Sequence, residues 1–304
     1  MMNRRQFLRR GAAGGGLLLT SPLLLRAAAP PRSPRLTILH TNDWHSRIDP
    51  FPDDGGRNAN RGGAARRAAL IAAIRAAEPH VLLLDSGDIF QGTPYFNFFA
   101  GELEMKLMSR MGYDAATIGN HDFDGGMDNL ATQLRHANFP LLVANYDFGG
   151  TPLEGRTEPY RVFERGGVRT GVFGLGIELN GLVPTKLYGK TGYRDPIERG
   201  NATAAHLRNT EKCDLVICLS HLGYRYRDDT VSDVKLAAAS RDIDLILGGH
   251  THTFLDEPAT VANQRGEPVI INQVGFGGLL LGRLDVVFPP GGRRRCVSCR
   301  NLLV

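Results

Sequence analysis

Five short apolar runs in this chain each end in a tight polar cluster. Residues 36–39 lead to Asp43-Trp44-His45, 81–84 to Gly87-Asp88, and 115–118 to Gly119-Asn120-His121-Asp122. Residues 215–219 lead to Ser220-His221, and 243–247 to Gly249-His250-Thr251-His252. A sixth apolar run covers 141–144, and helical patterns lie between the runs at 64–77, 95–111, 127–137, 202–212 and 231–240. Short strands alternating with helices specify βα units, an α/β fold and a mainly parallel sheet. In such a sheet the carboxyl ends of the strands form one rim, where ligands bind. All five clusters fall on that rim.

Two stretches break the alternation. Residues 160–164 and 168–175 flank Arg165-Gly166-Gly167, a hairpin signal. Residues 260–262, 268–272 and 279–288 are separated by short Gly-containing turns and read as an antiparallel meander. A second sheet with antiparallel strands is expected. No internal repeat or dividing linker is apparent, so one domain is expected over 30–290, between a leader at 1–29 and a C-terminal tail at 291–304.

A formal charge of +5 invites a polyanion-binding reading, but its location does not support one. Arg4, Arg5, Arg9, Arg10 and Arg26 precede residue 30, where no acid occurs; without them the chain carries 31 bases and 31 acids. The body is neutral, which removes the electrostatic footprint of a nucleic-acid binder. Instead, Asn3-Arg4-Arg5-Gln6-Phe7-Leu8 resembles a twin-arginine export box, followed by a weakly apolar stretch over 11–25. Those 15 residues, several of them Gly, fall short of the roughly 20 apolar residues of a membrane span. Export to the periplasm is expected, with no stable membrane span. Ala27-Ala28-Ala29 offers small residues for cleavage, but Pro30 is a poor neighbour for signal peptidase. An uncleaved anchor and a basic tail therefore stay open.

Cys213 and Cys218 bracket an apolar run at an offset that puts them on opposite strand faces, so they read as buried thiols. Cys296 and Cys299 form a lone CxxC after Arg293-Arg294-Arg295, a weak zinc or redox signal better read as a tail feature, such as a disulfide in an oxidising compartment.

Chemistry is carried by the clusters. Residues two apart in extended chain face one way, so Asp43 and His45 can reach one metal ion. Asp88 has two carboxylate oxygens and can bridge two cations, with Gly87 permitting the sharp turn before it. Asn120 offers an amide oxygen. His121 is poorly placed for the same ion and faces the substrate, and Asp124 orients its ring and stabilises its charged form. Asp122 reads as a helix-start or supporting residue and Asp85 as a loop hydrogen-bonding residue. His221, and His250 with His252 after a double glycine, complete the set. His40, His80, His136 and His206 have no such setting and read as structural, while Phe96, Phe98 and Phe99 fit a buried helix face. Tyr224, Arg225, Tyr226 and Arg227 fit a solvated loop, with a rim to the site as the alternative. No substrate-binding residue is identified.

The stretches His40-Thr41-Asn42-Asp43-Trp44-His45, Gly87-Asp88-Ile89-Phe90-Gln91-Gly92, Gly119-Asn120-His121-Asp122-Phe123-Asp124, Ser220-His221-Leu222-Gly223 and Gly248-Gly249-His250-Thr251-His252 resemble the calcineurin-like metallophosphoesterases, and within them the 5′-nucleotidase branch. The resemblance covers about 210 residues. It implies a four-layer α-β-β-α sandwich of two mixed sheets flanked by helices. It also implies two divalent metal ions (Zn, Mn or Fe), one held by Asp43, His45, Asp88 and His252, the other by Asp88, Asn120, His221 and His250. His121 and Asp124 match the family's catalytic dyad. Some relatives carry an amide at the position of His252, which leaves the identity of that ion open. The activity implied is hydrolysis of phosphate monoesters, nucleotides above all, by in-line attack of a metal-bound hydroxide.

Full-length relatives of this branch carry a further domain that stacks on the nucleobase. Here the base-binding half is expected to be absent, supplied by a partner chain, or replaced by local loops. Two readings compete with the phosphomonoesterase: a thiosulfohydrolase-like or other ester hydrolase of the same fold, and a metal-binding subunit that needs a separate substrate-binding chain.

Overall fold

The computed structural model describes residues 34–289 and 295–304; the twin-arginine box, the apolar stretch after it and Arg293-Arg294 lie outside them. In chain order the first elements are β1 (Arg35–Thr41), α1 (Ala64–Ala77), β2 (Val81–Asp85), α2 (Pro94–Phe99), α3 (Glu102–Met111), β3 (Ala115–Ala116), α4 (Met127–Gln133) and β4 (Tyr146–Asp147). Then come β5 (Tyr160–Arg165), β6 (Val168–Gly176), α5 (Thr185–Tyr188), β7 (Gly192–Tyr193), α6 (Pro196–Asn209), β8 (Leu215–His221) and α7 (Asp233–Ala239). The chain finishes with β9 (Leu245–Gly248), β10 (Ala259–Ala262), β11 (Pro268–Asn272), β12 (Leu280–Val287) and β13 (Arg295–Leu303).

The two large sheets have orders β13-β12-β1-β2-β3 and β10-β11-β9-β8-β6-β5, and each mixes parallel and antiparallel pairs. Why the chain makes four layers follows from the parity of its strands. Leu36 and Ile38, Leu82 and Leu84, Leu215, Ile217 and Leu219, and Leu245 and Leu247 all belong to one buried cluster between the sheets. Their neighbours of opposite parity turn the other way. Leu39 and Leu83 join Ile71, Ile74, Met105 and Met108 of α1 and α3. Val216, Cys218 and Ile246 join Ala204, Leu207 and Leu236 of α6 and α7. Strands apolar on both faces need cover on both, and the result is an α-β-β-α sandwich. Each fully buried Leu in it contributes roughly 1.5–3 kcal/mol of burial.

Several elements depart from the sequence reading. The helix expected over 95–111 is two helices, because Ala100 and Gly101 are both left-handed (φ 52° and 100°) and a Cβ on Gly101 would lie 2.3 Å from the Phe90 ring. Consequently Phe98 and Phe99 do not face the core: they are 79% and 47% exposed, and only Phe96 packs inward. Helix α6 begins at Pro196, ahead of the expected start, with Asp195 accepting from the Glu198 N–H at 2.7 Å as its cap. Residues 141–144 make isolated bridges rather than a strand. The meander does not form: β10 and β11 pair antiparallel, but β12 crosses to the other sheet and lies antiparallel to β1. The segment read as a tail supplies β13, paired with β12 at the sheet edge. Cys213 and Cys218 are free and buried, and because Cys213 precedes the strand both lie in one cluster rather than on opposite faces. Cys299 is disulfide-bonded.

Candidate metal centre

Strands β1, β2, β8 and β9 deliver their polar clusters to one rim, joined there by the loop after β3. The backbone at that rim is strained. Asp43, His45, Asp88, His250 and His252 all have positive φ, between 50° and 73°, a region that disfavours a residue with a Cβ. Such strain persists where the surroundings over-determine it, typically at functional sites. Here Asp43 N–H donates to the Gly87 carbonyl at 2.9 Å, His45 N–H to the Asp88 carbonyl at 3.0 Å, and Gly277 N–H to the Asp43 carbonyl at 2.7 Å. Close approach explains the glycines: a Cβ on Gly87 would sit 2.6 Å from the Gly119 nitrogen, and one on Gly119 only 2.1 Å from Asp88 Oδ1.

Two groups of ligating atoms result, Asp43 with His45 and His252, and Asp88 with His221 and His250; within each, the atoms lie within 4.8 Å of one another. His45 Nε2 is 3.8 Å from Asp88 Oδ2, so Asp88 faces both groups. Asn120 Oδ1 lies 2.8 Å from His250 Nδ1. Two observations test whether cations suit these residues. His221 Nδ1 is bonded to the Ser86 carbonyl at 2.7 Å, which turns Nε2 inward. There it is buried without a hydrogen bond among the described residues although Asp88 Oδ2 is 3.1 Å away: the two atoms are near but do not point at each other. Likewise His45 Nδ1 is bonded to the Gln91 carbonyl at 3.1 Å, leaving its Nε2 facing His252 Nε2 at 2.9 Å. Inward Nε2 atoms with outward Nδ1–H anchors are the arrangement of histidine ligands, and the mixed N and O donors suit Zn, Mn or Fe. The residues fit a pair of divalent cations.

Charge is arranged to match. Burial works against an Asp88 carboxylate, but His221, His45 and His121 outweigh it and hold its pKa below the ordinary value. Burial likewise disfavours the His221 imidazolium, yet Asp88 and Asp43 raise its pKa to about 10. Burial lowers His45, and burial with His221 lowers His250 to about 4, so both are neutral bases at pH 7. For His121, burial is outweighed by Asp88 and by the Asp124 Oδ2 contact at 2.8 Å on Nδ1, and its pKa rises.

Support comes from acids that do not face the two groups. Asp122 accepts from four backbone N–H groups, those of Asp88, Ile89, Phe90 and Gly119, at 2.7–3.1 Å. Asp85 accepts from Thr41 Oγ1 at 2.5 Å and the Gly87 N–H at 2.9 Å. Asp233, unnoticed in the sequence, accepts from Ser220 Oγ at 2.5 Å, and burial pushes its pKa up to about 8.

All nine site residues expected from sequence converge here: Asp43, His45, Asp88, Asn120, His121, Asp124, His221, His250 and His252. His40 is buried against Asn272 and His206 is bonded to Tyr160, both away from the site. Tyr224 and Tyr226 are half-buried and Arg225 and Arg227 exposed, with Tyr226 Oη donating to the Leu222 carbonyl at 2.8 Å. Sequence reasoning missed the mouth, a cleft of about 300 Å³ where Arg47, Phe51 and Phe276 border His45, His121 and His252. The Phe276 ring stacks on His252 with centroids 5.1 Å apart. Phe276 lies in a Gly-rich turn and carried no signal, whereas Arg47, two residues past His45, had proximity as a clue.

Comparison with known proteins points to one family. A family model described as calcineurin-like phosphoesterase matches residues 36–254. The snake venom 5′-nucleotidase of Gloydius brevicauda is 35% identical over 281 residues, covering 84% of this chain and 46% of that protein. The 5′-nucleotidase of Vibrio cholerae is 38% identical over 230 residues, covering 71% of this chain and 40% of that protein. The crystal structure of a 5′-nucleotidase precursor from Thermus thermophilus superposes with a TM-score of 0.81 at 33% identity, over 89% of this chain and 54% of that chain. This chain thus spans about half the length of the relatives it matches.

Proposed function

The chain belongs to the calcineurin-like phosphoesterase family, and on that premise we propose that it is a dinuclear-metal phosphoesterase that hydrolyses phosphate monoesters, with nucleotides as substrates. The observation that carries this reading is the pair of ligand groups joined through Asp88, with His121 at their edge. Asp43, His45, Asp88 and His252 would hold one cation, and Asp88, Asn120, His221 and His250 the other. When bound, the two cations polarise the phosphoryl group and lower the pKa of a water for in-line attack on phosphorus.

The remaining work falls to the chain's own residues. His121, its Nδ1–H held by Asp124, keeps a proton on Nε2 for an oxygen of the substrate as charge builds there. Asn120, its backbone placed by the loop after β3, offsets charge on the same oxygens. Asp122 fixes the loops that carry Asp88 and Asn120 by its four N–H bonds. The catalytic domain would include everything from β1 to β13, Arg35 to Leu303, the last strand among them. The Asn3–Leu8 sequence supports export through the twin-arginine pathway to the periplasm. A separate chain supplying a nucleotide-binding domain remains part of the proposal, to be sought among co-purifying proteins.

The test is phosphate release from AMP and p-nitrophenyl phosphate by protein loaded with Zn²⁺, Mn²⁺ or Fe²⁺. Activity should vanish on chelation and return with one of these ions. Activity that survives prolonged chelation, or elemental analysis that finds no bound metal after loading, overturns the proposal.

A further inference from the structure

Next to the mouth of the site lies a second pocket of about 340 Å³, lined by Arg47, Thr93, Tyr95, Phe98 and Phe99 among others. Arg47 borders both spaces. We infer that the two form one binding track, in which the phosphoryl group sits at the histidines, Arg47 holds the ester at the junction, and the aromatic pocket takes a planar aromatic leaving group such as a nucleobase. This inference rests on the phosphoesterase reading above and adds to it a subsite built from this domain's own residues.

Four observations carry it. First, Arg47 makes no ion pair among the described residues, whereas Arg35, Arg194 and Arg283 each meet a carboxylate. Its guanidinium lies over the Phe51 ring, 4.4 Å from the centroid, and Phe51 meets Phe276, which stacks on His252. A cation held only by a ring face, beside a site for phosphate, keeps its hydrogen-bond donors for an anion. Second, Phe98 and Phe99 stand 79% and 47% exposed on a six-residue helix, where apolar rings bury little. Third, the pocket is organised in advance. Tyr95 Oη donates to Asp49 Oδ2 at 2.7 Å, and its ring stacks on Phe99 at 6.4 Å with 20° between planes. Thr93 Oγ1 donates to the Ser46 carbonyl at 2.7 Å, tying this helix to the loop that carries His45. Fourth, each space lies near the lower end of the roughly 300–1,000 Å³ range of small-molecule sites, and together they accommodate a nucleoside phosphate. Ring faces next to a basic group match the chemistry of a base joined through a sugar to phosphate.

The test compares kcat/KM for AMP with that for glycerol 2-phosphate, which has no ring, using the full metal-loaded chain. The double variant Phe98→Ala/Phe99→Ala should lower the AMP to glycerol phosphate ratio roughly tenfold, through KM rather than kcat. Arg47→Ala should raise KM for AMP, and Arg47→Lys should recover part of the loss. An unchanged ratio in the double variant overturns the inference. A second arm needs no turnover: saturation-transfer NMR with adenosine on metal-free protein. Transfer to the adenine protons in the wild type and its loss in the double variant support the subsite. Equal transfer in both, or none in either, overturns it. If neither ester is hydrolysed the phosphoesterase reading falls, and the adenosine arm still decides the subsite.

Discussion

At the floor of the site Asp43, Asp88 and His221 are buried, several candidate ligands hold left-handed backbones, and the Asp43 and His45 amides are tied to the loop after β2. At the mouth, Phe98 and Phe99 stand in solvent and Arg47 rests on a ring face. The floor is costly structure that only a demanding chemistry justifies, because strain and buried charge there must be offset by the whole rim. The mouth costs little and is free to vary with the substrate. Floor substitutions should therefore damage activity on every substrate, and metal binding too where the residue belongs to a ligand group, and mouth substitutions only selectivity.

The largest effect tests the floor. Asp88→Asn removes the carboxylate facing both ligand groups and should lower kcat/KM by ~10³-fold or more, at or beyond the roughly 10²–10³-fold loss of a single transition-state donor, with less metal retained in elemental analysis. His121→Ala should cost ~10²–10⁴-fold in kcat while metal content holds, since His121 lies outside both ligand groups. If His121→Ala also lost metal, the division of roles at the floor would break down.

A smaller loss is expected from Asp122→Ala. Four buried N–H groups lose their acceptor, so activity should fall ~10–100-fold and Tm should drop as well. Proton release gives a finer reading. In metal-free protein the His221 pKa is raised to about 10, above its unfolded value of about 6.5. Its contribution to stability is thus full below pH 6.5 and is lost as pH rises toward 10. Metal-free protein should melt at lower temperature at pH 9 than at pH 6, and metal uptake at pH 8 should release about one proton from His221, visible in a pH-indicator titration. The smallest effect belongs to the mouth: Phe98→Ala should leave the unfolding free energy, read from denaturant melts, within about 0.5 kcal/mol of wild type, because that ring buries little.

The same contrast separates what was legible in the sequence from what was not. Floor residues announce themselves because each must follow a strand at short range: Asp88 comes three residues after β2, and His221 closes β8. Local rules suffice where spacing along the chain sets the chemistry. The four layers entered only through the resemblance to the family; the strands apolar at both parities give the physical reason once the structure is seen. Phe98 and Phe99 were misread because helical spacing favours a buried face, and nothing short of the Ala100–Gly101 break shows that the helix ends before it packs. Phe276 reaches His252 from a glycine turn with no period to betray it.

By itself, then, the order of residues determined an α/β fold with polar clusters at the strand ends, because strand period and loop position are local properties. Only the tertiary structure decided that β12 leaves its neighbours for the other sheet, that Arg47 keeps no carboxylate partner among the described residues, and that an aromatic pocket adjoins the rim. Those outcomes depend on which distant surfaces meet when the sheets pack, and pairwise spacing along a chain carries no such information.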